Sequence, residues 1–394
     1  MPYKNHENKD FDVIVYGASG YTGRLVAEYL SAAYPNGEIT WAMAGRNAEK
    51  LAKVRDEIGA PADTPLIVAD ASDPASLEAM CSRGKVIATT VGPYQLYGDE
   101  LVETCAKTGT DYVDLCGEPA WMREKIKGLS DAASQSGARI VFSCGFDSIP
   151  FDLGVYFTQQ HVIDKTGAPA PEVRGRVRKM KGTWSGGTAA SLKATMAAAF
   201  KDPSIIEVLK SPFALTPGFE GPRQPSGSKP KLEEDLGTWS APFVMAAINT
   251  KNIHRSNRLL GGAYGDDFLY SEMLFTGPGE KGEQIANAVA SDNSMMNEDG
   301  PKPGEGPSKE EREAGHYDVL FVATTKDGEL LKTSVKGDRD PGYGSTSKML
   351  AEAAVCLVEN AEETGGGIWT PAPAMGSALI RRLEERAGLT FEIE

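Results

Sequence analysis

Histidine is scarce in this 394-residue chain: His6, His161, His254 and His316 are its four, far apart and never arranged as His-Glu-x-x-His. A metal site is therefore not expected. Cysteine is almost as sparse. Cys81, Cys105, Cys116, Cys144 and Cys356 are odd in number, irregularly spaced and without a Cys-x-x-Cys pair. That argues against a disulfide scaffold or a zinc ribbon and fits a reducing, cytoplasmic setting. No apolar run approaches the ~20 residues that span a bilayer. The N-terminal Met-Pro-Tyr-Lys-Asn-His-Glu-Asn-Lys-Asp lacks the apolar core of a secretory signal. Positive charge is in deficit: the formal net charge is −14 and no basic stretch offsets it. That argues against a nucleic-acid partner.

Glycine is what the chain has at a telling place. Phe11 to Tyr16 is a short apolar, β-branched run that meets Gly17, Gly20 and Gly23, and a helix-like segment follows. A second strand-like run, Ile39 to Ala44, ends in Gly45-Arg46-Asn47. Glycines so placed let a strand turn sharply into a helix and let backbone amides approach a pyrophosphate. The expected dinucleotide site comprises Gly17, Ala18, Ser19, Gly20, Tyr21, Thr22 and Gly23.

The alternation continues to about residue 150, with further strands expected at 66–69, 86–90, 112–114 and 139–143 and helices between them. Such a pattern predicts an α/β fold: a Rossmann-type doubly wound parallel sheet whose ligand crevice lies at the strands' C-terminal ends. Past Asp152 the rhythm changes to a second, α+β domain. It holds an alanine-rich helix from Gly186, and a hairpin over 317–336 with an Asp-Gly turn. The expected division is 1–150 for the NAD(P)-binding domain and 151–344 for substrate binding or dimerisation. Residues 345–394 form C-terminal helices that pack back on the first domain. Stretches 216–237 and 276–313, rich in Pro, Gly and charge, read as flexible loops. Arg174, Arg176 and Arg178 alternate as on one solvated strand face.

Arg46 sharpens the cofactor. It stands where an acidic residue would accept bonds from the ribose 2′-hydroxyl of NAD, and a guanidinium there suits a 2′-phosphate instead. NADPH is thus preferred over NADH, with Asn47 beside it and Asp70, after the third strand, near the adenine. Thr90, Val91, Gly92 and Pro93 follow the fourth strand and fall near the nicotinamide ribose. Hydride transfer needs orientation and a proton donor. The donor candidates are Tyr94 and Tyr97; Asp147, in Cys144-Gly-Phe-Asp-Ser-Ile-Pro150 at the end of the sheet's last strand, is a catalytic candidate that could orient substrate. No tyrosine here has lysine four residues on, so the Tyr-x-x-x-Lys chemistry of short-chain dehydrogenases is absent. Cys144 has no histidine nearby to activate it and reads as a buried thiol.

Gly17-Ala-Ser-Gly-Tyr-Thr-Gly-Arg24, Ala44-Gly-Arg-Asn47, Val91-Gly-Pro-Tyr94, Asp111-Tyr-Val-Asp-Leu-Cys-Gly-Glu118 and Cys144 to Pro150 resemble the saccharopine dehydrogenase-like oxidoreductases. The resemblance is greatest to the bacterial branch of trans-acting enoyl reductases. It continues through Pro242-Phe-Val-Met, Tyr264-Gly-Asp-Asp, Pro341-Gly-Tyr-Gly-Ser-Thr-Ser-Lys-Met-Leu350 and Trp369-Thr-Pro-Ala372. It implies an NADPH-dependent oxidoreductase that reduces a C=C bond of a lipid-like or polyketide-derived acyl chain. It also suggests peripheral contact with the inner face of the plasma membrane; the apolar 242–270 segment and the C-terminal helices could form a homodimer interface, a lipid pocket or a membrane-facing surface. Two other readings stand beside it: a saccharopine-type C–N oxidoreductase acting on an amino-acid conjugate, and a non-catalytic NADPH sensor. The glycine motif also occurs in N-acetyl-glutamyl-phosphate reductases, whose cysteine thioester chemistry the Cys144 context does not support.

Arg46→Asp is expected to weaken NADPH binding by about tenfold or more, since a charge-assisted phosphate contact is worth on the order of 1.5–3 kcal/mol. Titrating NADPH and NADH against both proteins checks this. An unchanged cofactor preference would remove Arg46 from the site.

Overall fold

The computed structural model describes residues 8–182, 186–292, 304–359 and 364–394. The polar residues 1–7, residues 293–303 of the second expected loop, and the expected helix end at 360–361 lie outside the described residues.

The first half alternates as β1 (Phe11–Tyr16), α1 (Tyr21–Ala33), β2 (Trp41–Gly45), α2 (Ala48–Glu57), β3 (Leu66–Val68), α3 (Pro74–Cys81), β4 (Gly84–Thr89), α4 (Tyr94–Tyr97), α5 (Asp99–Thr108), β5 (Asp111–Val113), α6 (Pro119–Ser136) and β6 (Arg139–Val141). The second half runs α7 (Ile149–Thr166), β7 (Glu172–Lys181), α8 (Gly186–Lys201), α9 (Ser204–Lys210), β8 (Lys231–Glu233), β9 (Thr238–Pro242), α10 (Ala246–Leu259), β10 (Leu269–Gly277), α11 (Gly279–Ser291), α12 (Lys309–Glu313), β11 (His316–Thr324) and β12 (Leu330–Gly337). It closes with α13 (Thr346–Glu359), β13 (Gly367–Trp369), α14 (Pro371–Arg382) and β14 (Leu389–Ile393).

Among the described residues these strands form two seven-stranded sheets. The first is parallel throughout, in the order β13-β6-β5-β4-β1-β2-β3. Its centre, β1 and β4, is buried on both faces, as continuous apolar strands of a doubly wound sheet must be. The second, β14-β12-β11-β7-β10-β9-β8, is antiparallel except where β10 runs beside β7. The fold is therefore α/β, with a Rossmann-type parallel sheet and a second α+β layer.

The C-terminal residues serve both sheets. β13 extends the first and β14 the second. A buried polar knot fastens α13 and α14 to α1. Glu352 accepts from Tyr29 (2.6 Å), Tyr34 (2.8 Å) and Arg382 Nε (2.7 Å). Arg139 binds Asp111 inside the first sheet and reaches the Leu357 carbonyl of α13 at 2.7 Å.

Two local expectations change. Gly279–Ser291, read above as part of a loop, is α11: Ile285, Ala286 and Val289 recur at helical spacing, and Ala286 is buried. The solvated arginine face is also corrected. Arg174 and Arg176 are buried, and both bind Glu233, Arg174 Nη1 at 2.8 Å and Arg176 Nη2 at 2.8 Å. Arg174 also pairs with Asp235, and Arg178 joins Asp318 at 2.7 Å and Glu394 at 2.6 Å. The counter-charges at 233 and 235 come from the stretch read as a flexible loop.

Glu233→Ala would leave the buried Arg176 guanidinium without a counter-charge and Arg174 with Asp235 alone, a loss of about 3–5 kcal/mol. Urea unfolding of the variant measures it. A loss under about 1 kcal/mol would mean that the pair behaves like an exposed one.

Candidate active site

Three glycines set the first wall of the site. Gly17 has φ +88°, and a β-carbon on it would lie 2.8 Å from Thr90 Oγ1 and Val91 Cγ2. A β-carbon on Gly23 would overlap the Gly17 carbonyl oxygen, so the helix can pack this close to the strand only with glycine there. The Gly20 N–H closes the turn on the Gly17 oxygen at 2.9 Å. Ala18 is buried, its N–H bound to the Ala44 carbonyl at 3.1 Å. α1 then begins with no side-chain cap and no acid in its first turn. Its first N–H groups and the positive end of its dipole are left for an anion. This cradle fits a dinucleotide pyrophosphate.

At the end of β2, Arg46 is exposed, and no ion pair or hydrogen bond holds it among the described residues. Asn47 uses its Oδ1 to cap α2, accepting the Lys50 N–H at 2.8 Å. Asp70 Oδ1 accepts from the Ser72 N–H (2.9 Å) and hydroxyl (2.7 Å). These bonds, and more weakly the charge of Arg46, hold its carboxyl below the usual range. Asp70 thus shapes a turn beside Arg46.

Between the two sheets lies a cavity of about 460 Å³. Gly20, Tyr21 and Thr22 of the dinucleotide turn line it. So do Thr90, Gly92 and Tyr94 after β4, Leu115, Gly117 and Pro119 after β5, and Gly145, Phe146 and Asp147 after β6. The parallel order of the strands brings these segments to one end of the sheet. The opposite wall belongs to the second half: Ser191, Leu192, Thr195 and Met196 of α8, Leu209 of α9, Met245 with Ala247 and Ile248 at the start of α10, and Tyr343 with Thr346 before and in α13. Of the expected residues, Gly17, Ala18, Ser19, Gly23, Arg46, Asn47, Asp70, Val91, Pro93 and Tyr97 are not on this lining.

The three expected catalytic residues differ in setting. The Tyr94 hydroxyl donates to the Thr89 carbonyl (3.3 Å) and accepts the Leu115 N–H (3.0 Å). Its burial pushes the phenol well above its ordinary pKa. The Tyr94 and Gln95 N–H groups donate to Glu118 at 2.8 and 2.9 Å, and Glu118 also takes the Ser191 hydroxyl at 2.7 Å. Tyr94 therefore positions the turn, and Glu118 ties it to α8. Tyr97 is half exposed. Asp147 alone presents a carboxyl to the cavity, with no bonding partner beyond its own backbone. Loss of solvent raises it to about 7. Cys144 is buried off the lining, its thiol pushed up by burial, which removes the nucleophile reading.

Sequence reasoning did not foresee the wall from α8 and α10, because apolar residues there also read as ordinary core. The runs Pro242 to Met245 and Pro341 to Leu350 were the visible signals of that wall. Nor was the clasp on Tyr21 foreseen. The Tyr21 hydroxyl binds the Pro307 carbonyl and accepts from Arg312 Nη1 (2.6 Å), while its ring meets Tyr343 edge-on at 4.7 Å.

Residues 13–141 match the family model of the saccharopine dehydrogenase NADP-binding domain. A trans-acting enoyl reductase of Mycobacterium tuberculosis is 36% identical over 404 residues, covering 95% of this chain and 96% of that protein. Another, from Mycobacterium ulcerans, is 37% identical over 406 residues, covering 96% of each. Among solved structures, apo saccharopine dehydrogenase (L-Glu forming) of Saccharomyces cerevisiae superposes with a TM-score of 0.52 at 14% identity. It covers 97% of this chain and 99% of that one, a likeness of fold alone. The matched domain, the glycine cradle and the identity across nearly the whole length together show that this chain belongs to the saccharopine dehydrogenase-like family of NADP-dependent oxidoreductases, in its trans-acting enoyl reductase branch.

Proposed function

We propose that the chain uses NADPH to reduce a C=C bond conjugated to the carbonyl of a lipid-like or polyketide-derived acyl chain. The cavity lining carries this reading: Asp147 is its sole Asp, Glu, Lys, Arg or His among the described residues. A substrate with two carboxylates would meet no cation there, and its desolvation would go uncompensated. That counts against a saccharopine-type substrate. Met180, Leu192, Met196, Leu209, Met245 and Ile248 suit an apolar chain. An unpartnered cavity carboxyl held near neutral pH favours an enzyme over a sensor.

When bound, the nicotinamide supplies a hydride to the β-carbon. The turn from Gly17 to Gly23 would hold the pyrophosphate, Arg46 with Asn47 and Asp70 would border the 2′-phosphate and adenosine, and residues 90–93 would border the nicotinamide ribose. As negative charge develops on the acyl group, protonated Asp147 gives its proton to the α-carbon. Tyr94 holds the turn that carries residues 90–93. Water supplies the next proton to Asp147 after the saturated chain leaves. Peripheral contact with a membrane that stores such chains belongs to the same reading. No helix among the described residues is long and apolar enough to cross one.

Asp147→Asn is expected to lower kcat by about 10²-fold or more, with NADPH affinity kept. The wild-type rate should fall as pH rises through about 7, where Asp147 loses its proton. The sign for stability is fixed too. A carboxyl raised above its unfolded value of about 3.9 costs stability as pH rises through that window. The variant should therefore unfold at a higher midpoint than wild type at alkaline pH, and at nearly the same midpoint near pH 4. Steady-state oxidation of NADPH with enoyl thioesters, compared with amino-acid conjugates, decides the substrate class. Turnover confined to the conjugates would overturn the assignment.

A further inference from the structure

Glu272, on β10, is a buried carboxyl that lies off the cavity lining. Its Oε1 accepts from Asn249 Nδ2 at 2.7 Å and its Oε2 from the Tyr270 hydroxyl at 2.7 Å. Asn249 stands on α10 one turn before Asn252, and residues three apart share a helix face. Asn252 Nδ2 donates to Ser148 Oγ at 2.8 Å. The face of α10 that reaches Glu272 therefore also holds the residue next to Asp147. Both amides are buried, and neither Oδ1 has a hydrogen-bond partner among the described residues. The side chain of Asn249 thus serves Glu272 alone. Glu272 is not the bonded counter-ion of a cation either. Arg176, on β7, gives its donors to Glu233, Ser271 and the Gly175 carbonyl, and favours a charge on Glu272 only from a distance. Burial raises Glu272 to about 7, and an ionised Asp147 adds to the rise. Two carboxyls that sense each other's charge out of water seldom ionise together.

We propose that Glu272 is a positioning residue for the proton of Asp147: the two carboxyls share a single negative charge, and Asn249 and Tyr270 draw that charge to Glu272. The inference rests on the acyl-reduction reading, in which Asp147 is the proton donor. With the charge on Glu272, Asp147 keeps its proton at pH values where a lone carboxyl in its place would have lost it. After Asp147 gives that proton to the α-carbon, repulsion between two carboxylates favours the return of one proton from solvent. Other titratable groups face the pair from neighbouring elements. Cys116, after β5, and Tyr270, on β10, are both pushed well up by burial and stay neutral. Asp152, on α7, is itself raised to about 7 by burial. Its bonds go to Ser256 and the Ala372 N–H, and its charge reaches Tyr270.

Glu272→Gln keeps an acceptor for Asn249 and removes the charge. With an enoyl thioester its kcat should match wild type near pH ~5. Its alkaline limb should lie about one pH unit lower, roughly a fivefold loss at the pH where wild type is half active. Asp152→Asn should leave the limb in place. An unmoved limb in Glu272→Gln, a uniform loss at every pH, or an equal shift in Asp152→Asn would overturn the proposal. A second readout needs no turnover. Unfolding midpoints of wild type, Asp147→Asn, Glu272→Gln and the double variant form a cycle. At about pH 9 both carboxyls are charged, so the two single shifts should sum to more than the shift of the double variant. At about pH 4 both are protonated, and the shifts should add. Additivity at the alkaline pH would remove the pairing. A non-additive cycle in a protein that turns over no enoyl thioester would keep the pair and sink the acyl-reduction reading.

Discussion

The chain can pass from β1 into α1 only because Gly23 has no β-carbon to collide with the Gly17 carbonyl. This contact fixes where α1 starts, and with it the uncapped amides that await a pyrophosphate. The rest of the site is laid out from that corner. β4, β5 and β6 lie successively beside β1 and all run parallel, so residues 90–94, 115–119 and 145–147 come to the same edge. The second sheet and its helices cover that edge. What is enclosed is a mostly apolar space with one carboxyl in it.

That carboxyl is unusual for this molecule. Several buried charges are compensated by an opposite one: Arg139 by Asp111, Arg176 and Arg174 by Glu233, Arg382 by Glu352. Buried Asp152 accepts from Ser256 (2.5 Å) and the Ala372 N–H (2.8 Å). Asp114 accepts from Tyr112 (2.9 Å) and the Cys116 N–H (3.0 Å). Asp147 has no such partner beyond its own backbone, although it faces the cavity. Leaving a carboxyl unpaired raises its pKa and costs stability, a cost that fits a proton donor better than a packing residue. The same accounting separates the two substrate classes. The arginines that a di-acid would need are present on β7, but their charge is spent on Glu233, Asp235, Asp318 and Glu394.

Much of the first sheet was legible because its strands are short, apolar and bounded by glycine, and local pattern suffices for such elements. Arg46 could be placed from sequence for the same reason. What escaped notice depended on distant partners. β13 and β14 are three and five residues long and exist through pairing with β6 and β12. The arginines of β7 looked solvated because their acids lie in a stretch with no periodicity. Tyr94 and Tyr97 were chosen as donors by their distance along the chain from the expected nicotinamide. Only the fold shows that one hydroxyl is held between Thr89 and Leu115 and that the other residue is half exposed and off the cavity lining. Asp147 was legible as a position, at the end of the last strand of the first half, and its isolation was not.

The most direct test of the central claim follows two hydrogens. NADPH carrying deuterium at the transferable C4 position, incubated with this protein and an enoyl thioester, should give a saturated product with one deuterium at the β-carbon. The same reaction run with unlabelled NADPH in heavy water should place one deuterium at the α-carbon, and Asp147→Asn should slow both. A product with no cofactor-derived deuterium on the acyl chain would contradict the account.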